Sequence, residues 1–468
     1  MEDPPTEDRH HMQPGTLASR TDTAPPAPAR ILTRVLRPFQ RFAHTESSGG
    51  IVLLACTAVA LAWANSPWAA SYFHLWENEI AIGGSRIGIT QSLHHWINDG
   101  LMVVFFFVVG LEIKREMLVG ELASVRQAAL PIMAALGGML VPAALYATLN
   151  AGGPGAPGWG IPMATDIAFA LGVLALLGPR VPVALKVFLA ALAIVDDIGA
   201  VLVIAIFYTS QISLLALGIG AAVLALLVLC NAAGLRHPAV YALLGVVLWV
   251  AFLKSGVHAT VSGVLLAMTI PSRTRINEDE FLDRTRSLLD EFERACGPET
   301  TVLTNRAQQE AIEGIEIACE QAQAPLLKME HKLHGIVAFG IMPLFALSNA
   351  GVALGGVGGG ALTGPVTLGV VLGLVLGKPI GITLFSWAAV RFGLAVLPTG
   401  VSWRTLHGVS WLGGIGFTMS LFIAGLAFEG SAMLDAAKVG ILAASLIAGT
   451  VGWLLLRRVR GSEEPRTA

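Results

Sequence analysis

Charged side chains are scarce in this chain: Asp, Glu, Lys and Arg make up 13% of its 468 residues, against 54% hydrophobic. With a mean hydropathy of +0.69, the sequence has too little polar surface for a water-soluble protein of this size, which leaves a polytopic membrane protein. Cysteine is scarce too. The four present are Cys56 and Cys230 in apolar runs and Cys296 and Cys319 in a polar stretch, with no CxxC pair, so a disulfide framework and a cysteine metal site are both excluded. Basic residues are scattered among the connections and the net charge is −2, which excludes a nucleic-acid-binding patch. Residues 1–30 are polar and Pro-rich (Pro25-Pro26-Ala27-Pro28) and lack the apolar core of a signal peptide. The expectation for 1–34 is a disordered cytoplasmic tail.

What the chain has in abundance is apolar runs of about 20 residues, the length a bilayer requires. They fall near 49–66, 96–119, 127–148, 158–178, 182–208, 212–232, 238–252, 256–271, 335–355, 364–391, 403–428 and 432–457. This predicts about twelve transmembrane helices in an all-α fold. They divide into spans one to eight within 35–275 and spans nine to twelve within 329–460, followed by a short cytoplasmic tail at 461–468. With the N-terminus inside, Arg34, Arg37, Arg41, Lys114, Arg115, Arg126, Arg180 and Lys186, among others, fall on the cytoplasmic side, while Arg86, Lys254 and Lys438 fall outside. The positive-inside rule therefore predicts both termini to be cytoplasmic.

Two connections have structure of their own. Glu79 to Thr90 alternates apolar and polar residues around Gly83-Gly84-Ser85, which predicts a small external β-hairpin, with an irregular loop as the alternative. An isolated hairpin is marginal in water, so a second copy of the chain is its expected partner and a homodimer the expected assembly. Residues 276–328 form an acidic cytoplasmic insertion with two amphipathic faces, Phe281, Leu288, Leu289 and Phe292 on one and Ile312, Ile315, Cys319 and Ala322 on the other, broken at Gly297-Pro298. The expectation is a pair of helices that packs on the membrane domain without chemistry.

Against this apolar background, Asp196 and Asp197 stand side by side in the middle of span five. One ionisable side chain at the bilayer centre costs about 2.5–3.5 kcal/mol on insertion scales, so an adjacent pair calls for a function. At about 1.5 Å per residue, the midpoints of spans four, five and ten put Asp166, Asp196, Asp197 and Lys378 within a few ångströms of one plane. A structural ion pair accounts for one Asp and one Lys and leaves two acids over. Span four (Pro162-Met163-Ala164-Thr165-Asp166) and span eleven (Gly413-Gly414-Ile415-Gly416) carry helix-weakening residues near their centres. Broken helices are tolerable at depth only where they line a cavity. Spans three to five start inside and spans ten to twelve outside, so the two trios form an inverted-topology repeat with two interrupted crossing helices. A glycine-rich helix contact is the alternative for span eleven alone.

These residues resemble the NhaA-type sodium/proton antiporter family over nearly all of 35–460. The resemblance rests on Trp96-Ile97-Asn98-Asp99, Val109 to Glu116, Ala164 to Ala170, Ala193 to Ala200, Lys254 to Thr260, Phe345 to Gly351, Gly377 to Gly381 and Gly414 to Ser420. It implies that Asp196 and Asp197 bind sodium and protons, with Lys378 the partner of Asp196, and that Thr165 and Asp166 lie at the crossing with Gly414 and Gly416. There, Asp166 offsets the positive helix ends and Lys378 the negative ones. It also implies that Glu330, His331 and His334, with Glu112 nearby, sense pH, although the long acidic insertion before them departs from the shorter-looped members. His258 is expected to be structural.

Sodium and lithium are hard cations that prefer oxygen ligands, which carboxylates, a threonine hydroxyl and unwound carbonyls supply. Protons compete for the same oxygens, so the site exchanges instead of leaking. The expectation is an electrogenic antiporter of a bacterial inner membrane that exports sodium or lithium for two protons, active at alkaline pH, without a cofactor and not an enzyme. A sodium-coupled symporter of an organic solute is the closer alternative. An intramembrane aspartyl protease would need its acids on facing helices, whereas these are adjacent on one helix, about 100° apart. A channel is disfavoured because two bare carboxylates bind a cation too tightly for rapid passage.

Overall fold

The computed structural model describes residues 48–82, 89–209, 212–296, 301–355 and 363–458. The expected tails at 1–34 and 461–468, the hairpin turn Gly83-Gly84-Ser85 and the Gly297-Pro298 break fall outside these residues.

The described chain is mostly helical. Helix α1 (Ser48–Ala64) and the short α2 (Ala69–Glu77) meet at 114° and lead into a two-stranded antiparallel sheet. Its strands, β1 (Glu79–Ile82) and β2 (Ile89–Ser92), pair Glu79 with Ser92 and Ile80 with Gln91, so the hairpin ends two residues later than the alternation at Glu79 to Thr90 proposes. Then come α3 (Leu93–Val119), α4 (Val125–Asn150), a 3₁₀ segment (Ala156–Met163), α5 (Ile167–Leu176) and α6 (Val183–Phe207). They are followed by α7 (Leu214–Ala232), α8 (Pro238–Leu253), α9 (Val261–Thr269), α10 (Glu278–Arg294) and α11 (Arg306–Ala322). The chain closes with α12 (Pro325–Asn349), α13 (Pro365–Arg391), α14 (Trp403–Leu412), α15 (Phe417–Ala427) and α16 (Met433–Arg457).

Many of these helices start where short polar side chains can cap them. The hydroxyls of Ser124 and Ser213 and the side-chain carbonyl oxygens of Asn277 and Asn305 accept from backbone amides of the first turn, and Ser402 with Thr405 forms a reciprocal capping box. Eight helices among the described residues are long and apolar enough to cross a membrane, or ten if the bent pairs α1–α2 and α14–α15 each count as one. The region read as span eight is shorter than its hydropathy implies: α9 has 9 residues. It is preceded by a turn in which Gly256 takes φ +86°, and left-handed backbone cannot continue a helix. Span nine begins earlier than its apolar run. Pro325 opens α12 at the first helical position, and the helix carries Lys328, Glu330, His331 and Lys332 before the hydrophobic part begins and ends at Asn349.

The insertion folds as α10 and α11 lying against each other, with the inward face of α11 shifted from the proposed one: Ile315, Cys319 and Ala322 are half-buried, Ile312 is 42% exposed, and Gln308, Ala311 and Ala318 are the buried residues. The reason is close approach: a Cβ on Gly314 would stand 2.8 Å from Leu288, so the small residues of α11 face α10. The ends of the insertion are drawn together, with Leu326 N donating to Pro271 O at 3.1 Å and Arg275 N to Gln321 O at 2.9 Å.

Within the membrane-like bundle, α4 and α13 make the tightest crossing. A Cβ on Gly381 would lie 2.1 Å from Gly137 O, one on Gly137 2.2 Å from Gly381 O, and one on Gly377 2.7 Å from Pro142 Cα. Small residues let backbones touch where no aqueous hydrophobic effect drives association. This crossing seats Lys378, which follows a π-helical turn at Gly373–Gly377.

Candidate functional site

Two helices of the bundle are broken at their centres, and the breaks meet. Between the 3₁₀ segment and α5, residues Ala164, Thr165 and Asp166 are non-helical. Pro162 removes an amide donor from the turn before them. Between α14 and α15, the chain bends by 48° through Gly413, Gly414, Ile415 and Gly416. There, a Cβ on Gly414 would lie 2.4 Å from Leu374 O and one on Gly416 2.2 Å from Ser420 Oγ. The main chains join directly, with Asp166 N donating to Ile415 O at 2.7 Å.

Each break leaves a helix N-terminus with unsatisfied amides and a C-terminus with unsatisfied carbonyls. Asp166 serves both N-termini: Oδ1 accepts from Phe169 N at 3.0 Å, and Oδ2 accepts from Thr418 N at 3.1 Å and from the Thr418 hydroxyl. At the opposite pole, the Thr165 hydroxyl donates to Gly413 O at 2.8 Å, beside the end of α14. Lys378 completes that side, its Nζ donating to Thr165 Oγ1 at 2.8 Å and to Asp196 Oδ2 at 2.6 Å. A carboxylate at two positive ends and an ammonium near a negative one is the arrangement the helix dipole favours.

Lys378, Thr165 and Thr418 are each 0% exposed, and Asp166, Asp196 and Asp197 at most 3%. Lys378 neutralises one charge of the Asp196–Asp197 pair. Asp196 Oδ1 and Asp197 Oδ1 are buried without a hydrogen-bond partner in the described residues. Two bare carboxylate oxygens beside unwound backbone are what a small hard cation, or protons in its place, would fill.

A second charged group lies where α3 meets α12. Glu330 Oε1 accepts from Arg115 Nη1 at 2.6 Å, and Arg115 Nη2 donates to Glu116 Oε1 at 3.0 Å. His334 Nδ1 is 3.7 Å from Glu112 Oε1, a charged pair only when the imidazole is protonated. His331, by contrast, is exposed. His258 lies in the turn before α9 in the wall of a cavity of about 730 Å³ that His94, His95 and Asp99 also line. Its Nε2 is 3.5 Å from Asp99 Oδ1 and its Nδ1 is 2.7 Å from Thr260 Oγ1. Neither Asp196 nor Asp197 lines that cavity.

Thr418, one of the few polar residues that accompany the acids in the sequence, follows the glycine break, where the first residues of a helix present free amides. The candidate set lacks Arg115; it stands three residues after Glu112, on the same helical face. The carbonyls of Gly413 and Ile415 carry no side-chain signal at all.

Comparison with known proteins bears on the whole chain. A family model described as Na+/H+ antiporter 1 matches residues 40–456. The Na(+)/H(+) antiporter NhaA of Oleidesulfovibrio alaskensis is 51% identical over 460 residues, covering 98% of this chain and 100% of the relative. The Na(+)/H(+) antiporter NhaA of Koribacter versatilis is 52% identical over 433 residues, 92% of this chain and 94% of the relative. An NhaA 2 antiporter of Syntrophotalea carbinolica is 52% identical over 423 residues, 90% and 96% of the two chains.

Proposed function

This chain belongs to the Na+/H+ antiporter 1 family, and we propose that Asp196 and Asp197 are the oxygens for which its sodium and protons compete. The protein is a multi-pass secondary active transporter and not an enzyme; it exchanges sodium or lithium for protons. Membership sets aside the symporter and the protease. The observation that carries the assignment is the pair of buried, unpartnered oxygens Asp196 Oδ1 and Asp197 Oδ1 beside the crossing.

In this reading Lys378 holds Asp196 in place, so Asp197 is the freer ligand and Asp196 joins it when the cation arrives. Thr165 and the carbonyls at the breaks add neutral oxygens, while Asp166 stays engaged with the two helix N-termini. Two protons leave per cation, from the two acids or from one acid and Lys378, so one net charge crosses per cycle. An inside-negative potential then drives protons in and sodium out. The empty site, with both acids ionised and only one of them paired with Lys378, crosses reluctantly, which prevents leak.

We assign twelve crossings in a bacterial inner membrane: the eight long helices, α1, the α14–α15 pair, α8 and the 256–271 segment around α9. The two broken helices are then the middle members of inverted trios, and both termini lie in the cytoplasm, as the distribution of basic residues favours. The cluster of Glu112, Glu330 and His334, with the exposed His331, is our candidate for activation by alkaline pH. The hairpin, with both of its strands at an edge, is our candidate for a homodimer contact.

Proton flux in everted vesicles on adding sodium, lithium, potassium or no cation tests the function. Flux with sodium and lithium alone is expected. Equal flux with potassium would refute the ligand argument.

A further inference from the structure

The outer half of the first broken helix is the weak element of the site, and three hydroxyls hold it. The 3₁₀ segment Ala156–Met163 has eight residues, two of them proline. A 3₁₀ run of this length has poor internal hydrogen bonds, so its position is set from outside. Tyr146, on α4, donates to Gly155 O at 2.8 Å. Tyr208, capping the end of α6, donates to Pro157 O at 2.8 Å. Ser420, on α15, donates to Ile161 O at 2.7 Å.

The segment is shaped to receive them. A Cβ on Gly158 would lie 2.4 Å from the Tyr146 hydroxyl and one on Gly160 2.9 Å from that of Tyr208. Glycine at these two positions leaves room for the phenols to reach the backbone. Both Tyr146 and Ser420 are 0% exposed, and such buried hydroxyl–carbonyl bonds are lost without compensation from water.

We propose that Tyr146, Tyr208 and Ser420 are positioning residues that fix the 3₁₀ segment and, through it, the non-helical Ala164-Thr165-Asp166 on which the cation site is built. The segment ends two residues before Thr165, so a shift in its carbonyls passes into the hydroxyl that Lys378 and Gly413 O share. Tyr208 adds a fixed length. It follows Asp197 by eleven positions along one helix, about 16 Å at the α-helical rise, so α6 holds both the acids and the segment opposite them. The three donors come from three different helices, α4, α6 and α15, so the clamp ties the broken strand to both the acid-bearing helix and the second broken helix.

This rests on the assignment of the cation to Asp196 and Asp197, and the experiment separates the two claims. Sodium-dependent proton flux is measured in everted vesicles for Tyr146→Phe, Tyr208→Phe and Ser420→Ala, each normalised to the amount of folded protein. Tyr241→Phe is the control: its hydroxyl donates to Leu235 O at 2.9 Å, remote in sequence from both breaks. Asp197→Asn is measured alongside. The clamp predicts that half-saturating sodium rises about three- to tenfold in Tyr146→Phe and Ser420→Ala, the factor that loss of one ordinary buried hydrogen bond carries, and rises by less in Tyr208→Phe, whose bond water can partly replace. Maximal rate stays near the parent value, and Tyr241→Phe shows no change. Should one variant fail to accumulate, the other two read the same quantity. Unchanged half-saturation, a fall in maximal rate alone, or an equal rise in Tyr241→Phe overturns the clamp and leaves the cation site standing if Asp197→Asn is inactive. Normal exchange by Asp197→Asn overturns both.

Discussion

Lys378 is a fully buried ammonium whose two polar contacts are Asp196 and Thr165, and its removal strands a carboxylate. Breaking a buried pair from one side costs about 3–5 kcal/mol. Lys378→Ala is therefore expected to lower the unfolding midpoint in detergent markedly, as is Asp196→Ala. The double variant should lose less than the sum, since each single change leaves an uncompensated charge that the other removes. Additive losses would mean that the two side chains stabilise the fold independently. His334→Ala acts on the other cluster, where the imidazole is 3.7 Å from Glu112. It is expected to displace the pH profile of exchange without abolishing it; inactivity at every pH would count against a sensing role. Of these residues, the acids and Lys378 were legible because a charge in an apolar run is conspicuous, and Thr165 because it lies in the helix-weakening stretch after Pro162. The acceptors were not: Gly413 O and Ile415 O are main-chain groups, and the partner of Arg115, Glu330, lies 215 positions away.

At the scale of elements, close packing decides which positions tolerate a side chain. A Cβ on Gly381 would stand 2.1 Å from Gly137 O, a backbone atom that cannot rotate away, whereas one on Gly425 meets nothing within 4 Å. Gly381→Ala should destabilise by about 1–3 kcal/mol, the usual range for overpacking, and Gly425→Ala should be neutral or slightly stabilising in the same melting measurement. The broken helices were readable from Pro162 and from Gly413, Gly414 and Gly416. The start of α12 was not, because hydropathy marks where a helix enters lipid and Pro325 marks where it begins. The inward face of α11 is shifted for a related reason: large apolar residues draw the line through Ile312, which is exposed, while close approach at Gly314 buries Ala311 and Ala318 beside the half-buried Ile315 and Cys319.

For the whole molecule, one test bears on transport and one on assembly. One net charge per cycle couples to the membrane potential with about 2.3 kcal/mol per 100 mV, so an imposed inside-negative potential should accelerate sodium exit from reconstituted vesicles, and indifference to it would exclude the unequal stoichiometry. The strands of the hairpin are 4 residues each, too short to be stable as an isolated pair; if they pair two copies as proposed, deleting residues 80–91 shifts the detergent-solubilised protein to a smaller mass, and an unchanged mass would contradict the proposed contact. The central claim is that the bare oxygens of Asp196 and Asp197 hold cation and protons in turn. Its most direct test is sodium-dependent proton flux by Asp197→Asn in everted vesicles, from neutral to alkaline pH, at parental protein abundance. The account predicts no flux at any pH; flux at the parental rate would contradict it.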